Sequence, residues 1–271
     1  MKFDPAHWAL ILGGSSGFGL ATAQKVARHG MNVCVVHRDR RGAMANIEPE
    51  FAKIRDAGVG FLALNLDALS AEGRAKVLDE LAAKGAKVRL LMHSIAYGNL
   101  KLLGPLPPGQ EGAGTYDADA RLEDEDFART VYSMGTSLAS WAQDVFSRKL
   151  FADDARVIGM TSEGNEVAWR GYAAVSAAKC ALESVSRSLA LELGPFGVRS
   201  NVVQAGVTDT PALRLIPGSE QMKAAALARN PLGRLTTPAD VADFIALLCT
   251  DEARWVNGAL IRVDGGEHIA G

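Results

Sequence analysis

Trp8-Ala-Leu-Ile-Leu12 runs directly into Gly13-Gly-Ser-Ser-Gly17-Phe-Gly19, and an amphipathic stretch follows as far as Arg28. An apolar run of strand length, a glycine-rich turn and a helical pattern in immediate succession open a βαβ unit. The use of the glycines is access. They let the backbone turn tightly and approach a pyrophosphate, whose charge then meets the N-terminus of the helix. A glycine pattern alone is weak evidence; one that follows a strand and opens a helix is strong.

The alternation continues along the chain. Short apolar runs predict strands at 8–12, 32–37, 60–65, 88–93, 156–161, 198–204 and 259–263. Helical periodicity predicts helices at 19–28, 43–56, 71–83, 124–150, 173–193, 219–228 and 238–250. Continuous apolar strands are those of a parallel sheet buried on both faces. The expected fold is therefore α/β, a Rossmann-type, doubly wound, seven-stranded parallel sheet with helices on both faces. No linker, repeat or low-complexity tract interrupts it, so residues 1–271 read as a single dinucleotide-binding domain. Two segments break the rhythm, 98–120 and 208–233. Both are long, carry Gly and Pro, and follow strand C-terminal ends, where open α/β sheets bind ligands. Their apolar residues Leu100, Leu102, Leu103, Leu213, Leu215, Ile216 and Met222 suit a greasy substrate pocket.

Composition narrows the classes. With 271 residues, 48% hydrophobic and a net charge of −2, the chain has the make-up of a globular protein and no electrostatic footprint for nucleic acid. Cys34, Cys180 and Cys249 are scattered and odd in number, which fits reduced packing thiols. The five histidines lack ligand spacing, so no metal is expected. Neither a signal-peptide core nor a membrane-length apolar run is present, and the expected location is the cytoplasm.

The chemistry is expected at Tyr172-Ala-Ala-Val-Ser-Ala-Ala-Lys179. Groups seven helical positions apart lie on one face, about 20° off eclipsed and about 10 Å apart along the axis. A lysine side chain leans back toward the helix N-terminus, so phenol and ammonium converge beside the bound nucleotide. At the end of the second strand, where an NAD-type site would carry an acid, stand His37 and Arg38, with Asp39, Arg40 and Arg41 after them. An arginine fork binds a 2′-phosphate, which favours NADPH, with NADH as the alternative.

These residues resemble the short-chain dehydrogenase/reductase superfamily over nearly the whole chain. The likeness is carried by the glycine turn, Asp67-Ala68 after the third strand, the Tyr/Lys segment, Asn201, Ala205-Gly-Val-Thr-Asp-Thr210 and Val263-Asp-Gly-Gly266. Departures point to one branch. The position four before the lysine, usually tyrosine, is Val175. The usual Asn-Asn-Ala-Gly is His93-Ser94-Ile95-Ala96, and the usual Pro-Gly is Ala205-Gly206. All three look like bacterial enoyl-acyl-carrier-protein reductases.

That resemblance implies Tyr172, Lys179 and Ser162 as catalytic residues. It implies a cofactor site of Gly13, Ser15, Ser16, Gly17, Phe18, Gly19, His37, Arg38, Asp67, Ala68, Ser94, Ile95, Ala96, Lys179, Gly206, Val207, Thr208 and Thr210. The implied reaction is NADPH-dependent reduction of a 2-enoyl thioester carried on acyl carrier protein, by a homotetramer with a dimer as runner-up. Small residues at Ala139, Ala142, Ala174, Ala177 and Ala181 suit helix faces that meet across two-fold axes. Tyr172 would stabilise the enolate, and Lys179 would hold the nicotinamide ribose and lower the phenol's pKa. Ser162 stands where many enoyl reductases carry a second tyrosine and where the wider superfamily keeps a serine. It keeps open an alternative, a ketone or alcohol oxidoreductase such as a 3-ketoacyl reductase. A non-catalytic cofactor-binding protein would be expected to lack Tyr or Lys. His93, Trp141 and Trp169 read as packing residues.

Overall fold

The computed structural model describes residues 2–107, 116–117 and 120–270. Part of the 98–120 segment, residues 108–115 and 118–119, lies outside the described residues. Seven parallel strands form one sheet in the order β3-β2-β1-β4-β5-β6-β7. They are β1 (His7–Leu12), β2 (Asn32–His37), β3 (Phe61–Asn65), β4 (Lys87–His93), β5 (Phe151–Thr161), β6 (Val198–Ala205) and β7 (Leu260–Val263). The order reverses between β1 and β4, which opens a crevice at their C-terminal ends.

Alternation along β1 separates two cores. Trp8, Leu10 and Leu12 join one, with side chains from α3 (Ala71–Ala83), α5 (Ser137–Ser147) and α6 (Ala173–Leu193). Ala9 and Ile11 join the other, with α1 (Gly17–Arg28), α2 (Met44–Arg55) and α9 (Pro238–Leu248). A Leu or Ile buried this completely contributes about 1.5–3 kcal/mol. Ser70 caps α3 by accepting from Gly73 N at 3.0 Å. Asn201 joins β6 to the turn before β7, donating to Val256 O and accepting from Ala259 N. Among the described residues no helix is long and apolar enough to cross a membrane.

The long helix expected at 124–150 is broken. α4 (Asp124–Val131) gives way to a π turn at Tyr132–Thr136 before α5 begins. Ser137 Oγ donates to Ser133 O at 3.2 Å, and Ser133 Oγ donates to Thr130 O at 3.2 Å and to Tyr97 O. These back-bonds compete with the helical ladder. Gly135 meets α6 at the same turn, where a Cβ would stand 2.6 Å from Ala178 O. The segment 208–233 contains α7 (Pro211–Arg214) and α8 (Ser219–Arg229). Of the five alanines expected on association faces, Ala142 and Ala174 are fully buried within the chain.

At the opposite end of the sheet Asp154 gathers three arginines. Arg89 Nη1 is 2.7 Å from one carboxylate oxygen, Arg156 Nη1 2.7 Å from the other, and Arg199 pairs with it as well. Arg89 and Arg156 are buried. Burial alone would raise the Asp154 carboxyl, but hydrogen bonding from Arg156 and the charges of Arg156, Arg89 and Arg199 outweigh it and hold it below its usual value. Removing the anion leaves the buried Arg156 without a carboxylate and Arg89 with only the exposed Asp251, so Asp154→Asn should lose about 3 kcal/mol at pH 7. A depressed carboxyl contributes stability above its unfolded value and loses it as pH falls through the folded one. The difference between the two proteins in urea denaturation should therefore shrink in acid; equal stability at pH 7 would refute the role.

Candidate active site

The crevice at the β1/β4 reversal is a cleft of about 620 Å³. One end is built by the glycine turn. Gly13, at φ +82°, lies so close to β4 that a Cβ would stand 2.4 Å from Ser94 O, and a Cβ on Gly19 would stand 2.2 Å from Gly13 O. Ser16 begins α1 without a side-chain cap. The first-turn N–H groups of α1 therefore retain their capacity for an anion. These features fit a dinucleotide pyrophosphate.

Past β2 the chain turns on Asn65, which donates to Asp39 O at 2.9 Å and accepts from Asp39 N at 3.1 Å. Arg38 and Asp39 line the cleft. The Arg38 guanidinium stacks 4.7 Å above the Tyr97 ring and stands 3.6 Å from the Asp67 carboxylate. His37 turns inward instead, against Phe51, with Nδ1 2.8 Å from the Asp39 carboxylate.

The other end of the cleft is built by α6 and the end of β5. Tyr172 is the N-cap of α6 and its hydroxyl lies 3.4 Å from Ser162 Oγ. Gly164 makes room for the ring, since a Cβ there would stand 2.4 Å from Tyr172 Cε1. Glu183 steadies this turn by accepting from Thr161 Oγ1 and Asn165 Nδ2, each at 2.6 Å. Lys179 is buried and donates to Met160 O at 2.8 Å. Burial pushes its ammonium down to about 8, against the raising charge of Glu183.

The Tyr172 phenol departs from expectation. Burial raises its pKa, and the opposing influence is the hydrogen bond with Ser162, not the charge of Lys179, whose ammonium turns to Met160 O. His93 is a buried strand-end histidine with Nε2 2.8 Å from Ser137 Oγ. Burial first, then the Lys179 charge, pushes it down to about 3, so it is neutral near pH 7.

Most residues expected in the site meet here. Gly13, Ser15, Ser16, Gly17, Phe18, Arg38, Ser94, Ile95, Ala96, Ser162, Tyr172, Lys179, Gly206, Val207, Thr208 and Thr210 line the cleft. Gly19, His37, Asp67 and Ala68 do not line it; His37 and Ala68 are buried, and the exposed Asp67 carboxylate faces Arg38, which does. Of the apolar loop residues, Leu100, Leu213, Leu215, Ile216 and Met222 line it, whereas Leu102 is buried and Leu103 faces away into solvent. Trp141 is a core residue that donates to Ala68 O at 2.9 Å, but Trp169, read as packing, lines the cleft. Glu163, Glu267 and His268 also line it and went unread. No local spacing marks them, because they converge from the ends of β5 and β7.

A doubly wound sheet with a glycine turn at its reversal and Ser162, Tyr172 and Lys179 beside it is the arrangement of short-chain dehydrogenase/reductases. The chain belongs to the family described as Enoyl-(Acyl carrier protein) reductase, whose profile matches residues 13–268. It is thereby an oxidoreductase. The chain is 29% identical over 262 residues to a cis-4-hydroxycyclohexanecarboxylate dehydrogenase of Sinomonas cyclohexanicum, covering 95% of each chain. It is 28% identical to a 1-cyclohexenylcarbonyl-CoA reductase of Streptomyces collinus, covering 98% of this chain and 88% of that one. The fold matches the crystal structure of an enoyl-[acyl-carrier-protein] reductase (NADH) from Aquifex aeolicus with a TM-score of 0.80, 24% identity and 99% coverage of both chains.

Burying Lys179 has a consequence for stability. Below about pH 8 it is charged in both states, so the folded protein carries the whole penalty of burial. The penalty fades as pH rises from the folded value to the unfolded one, about 10.4. Lys179→Met should stabilise the fold at pH 7 by on the order of 1 kcal/mol, net of the lost bond to Met160 O, with the gap narrowing above pH 8. Thermal melts across this range read it; a Met variant less stable at pH 7 would refute the charge penalty.

Proposed function

We propose that the protein is an NADPH-dependent reductase of 2-enoyl thioesters. The observation that carries the reading is the position of Tyr172, the one phenol that lines the cleft among the described residues. Tyr172 stands at the outer end of α6, and the position one turn inward is the buried, apolar Val175. In enoyl reduction hydride reaches the β-carbon while negative charge develops on the thioester oxygen, three bonds away. An acid displaced outward suits that separation. A ketone would need its acid beside the carbon that receives hydride.

When bound, the nicotinamide supplies the hydride. Tyr172 Oη donates a hydrogen bond to the developing enolate oxygen, a contact of the kind commonly worth a few kcal/mol. Lys179, with two ammonium hydrogens left after Met160 O, holds the ribose hydroxyls. Ser162 orients the phenol, and water supplies the α-proton. Leu213, Leu215, Ile216 and Met222 exclude solvent from the acyl chain.

The charges along the cleft favour an esterified acyl group over a free acid. Its lining carboxylates at this end are Glu163, Asp264 and Glu267; of the nearby cations, Arg229 is engaged by Glu163 and Glu267 and the Lys179 ammonium by Met160 O. That the Streptomyces collinus relative is a 1-cyclohexenylcarbonyl-CoA reductase supports this. Acyl carrier protein is the proposed carrier and a homotetramer the proposed assembly. Association would cover exposed apolar residues such as Trp255, Leu191 and Phe196. Sedimentation yielding a concentration-independent monomer would overturn the assembly.

A second reading, reduction of a ketone, is favoured by one observation, the hydroxyl of Ser162 within 3.4 Å of that of Tyr172. The two separate in one assay of cofactor oxidation with crotonyl, longer enoyl and 3-ketoacyl thioesters. Tyr172→Phe should cut enoyl turnover at least about 100-fold, as loss of one oxyanion donor does, with cofactor affinity nearly intact. Turnover of the ketoacyl substrate alone would replace the first reading by the second. For the cofactor, Arg38→Ala should weaken NADPH by about 1.5–3 kcal/mol and NADH little. Equal losses for both would show that Arg38 does not read the 2′-phosphate.

A further inference from the structure

The excursion between β6 and α9 that carries α7 and α8 has two feet, and one carboxylate holds both. At the first foot the Val207 N–H donates to Glu267 Oε2 at 3.0 Å. At the second, Arg229, the last residue of α8, donates from Nη2 to Glu267 Oε1 at 2.7 Å. The same nitrogen lies 2.7 Å from Glu163 Oε2, and Glu163 follows Ser162 at the end of β5. Glu267 itself is 3% exposed and belongs to the short turn after β7.

The surroundings are built for this carboxylate. A Cβ on Gly206 would stand 2.7 Å from Glu267 Oε2, so the residue before Val207 has no room for a side chain. Asn230, next to Arg229, donates to Asp264 O at 2.9 Å and ties the second foot to the same C-terminal segment. Taking a carboxylate out of water costs several kcal/mol unless it is paired, and an apolar contact would hold two segments together more cheaply. What charge and directed hydrogen bonds add is register. They fix where the two feet stand, and the cleft wall of Leu213, Leu215, Ile216 and Met222 hangs between them.

We propose that Glu267 is a positioning residue that staples both ends of residues 207–229. Through Arg229 and Glu163 it sets that apolar wall against the Ser162/Tyr172 end of the cleft. The staple does not depend on the identity of the substrate. Only its kinetic consequence rests on the enoyl-thioester reading, where acyl groups long enough to touch the wall depend on it most.

The test uses the full-length protein and the variants Glu267→Gln, Arg229→Met, Arg229→Lys and Glu163→Gln. Glu267→Gln keeps an oxygen for Val207 N–H but loses the charge that Arg229 pairs with. Hydrogen exchange should accelerate in residues 207–229 by about 10-fold or more in Glu267→Gln and Arg229→Met, the loss of a charged hydrogen bond, with strands β1 to β5 unchanged. Arg229→Lys, which keeps the charge, should recover part of the protection. The double variant Glu267→Gln/Arg229→Met should exchange no faster than the worse single one. In kinetics, KM for a dodecenoyl thioester should rise more than KM for crotonyl thioester, a split that a general loss of stability does not produce.

Unchanged exchange in 207–229 overturns the proposal, as does acceleration spread evenly over the sheet. Acceleration confined to 207–229 with KM rising equally for both chain lengths also overturns the positioning role. Should the wild type turn over no enoyl thioester, localised exchange with partial rescue by Arg229→Lys still supports the staple, and it is the functional reading that falls. If Glu267→Gln does not fold, Arg229→Met and Glu163→Gln carry the same exchange measurement.

Discussion

Everything functional in this chain depends on how closely two backbones approach where the sheet reverses direction. Gly13 leaves β1 and passes Ser94 at the end of β4 with no space for a methyl group. That contact brings α1 down over the crevice and directs its N-terminus at the position of a pyrophosphate. It also brings the β4 end, with Ser94, Ile95 and Ala96, into the same wall. A side chain at residue 13 would pry these segments apart, and its positive φ adds a second reason for glycine there.

The reacting end is organised against the preferences of its own groups. Burial opposes ionisation of both the Tyr172 phenol and the Lys179 ammonium. Neither is relaxed by the other; the phenol is relieved by Ser162 and the ammonium rests on a strand carbonyl. This leaves the phenol protonated near neutral pH, the form that donates a hydrogen bond to a developing oxyanion. The charges on Glu163, Arg229 and Glu267 that tie residues 207–229 to the ends of β5 and β7 stand apart from Tyr172 and Lys179. At the far end of the sheet Asp154 and its arginines join β4, β5 and β6 without facing the cleft.

Much of this was legible along the chain because its causes are local. Strands β1 and β2 buried on both faces must be continuous apolar runs, and α3 and α6 repeat every three to four residues. The glycine turn and the Tyr172/Lys179 spacing work within a single turn or helix, so the side chains expected there do line one cleft. What only the tertiary structure decided involves residues brought together from far apart. At the π turn of Tyr132–Thr136 Gly135 meets α6 at Ala178, and no pattern within 124–150 announces that crossing. His37 packs on Phe51 while Asn65 holds the Asp39 backbone, which leaves Arg38 and Asp39 at the cleft. Glu163, Arg229 and Glu267 lie on three separate segments, and a buried ion network has no periodicity to betray it. Local regularity determined the sheet and its ligand edge; contacts between distant segments decided how that edge is shaped and held.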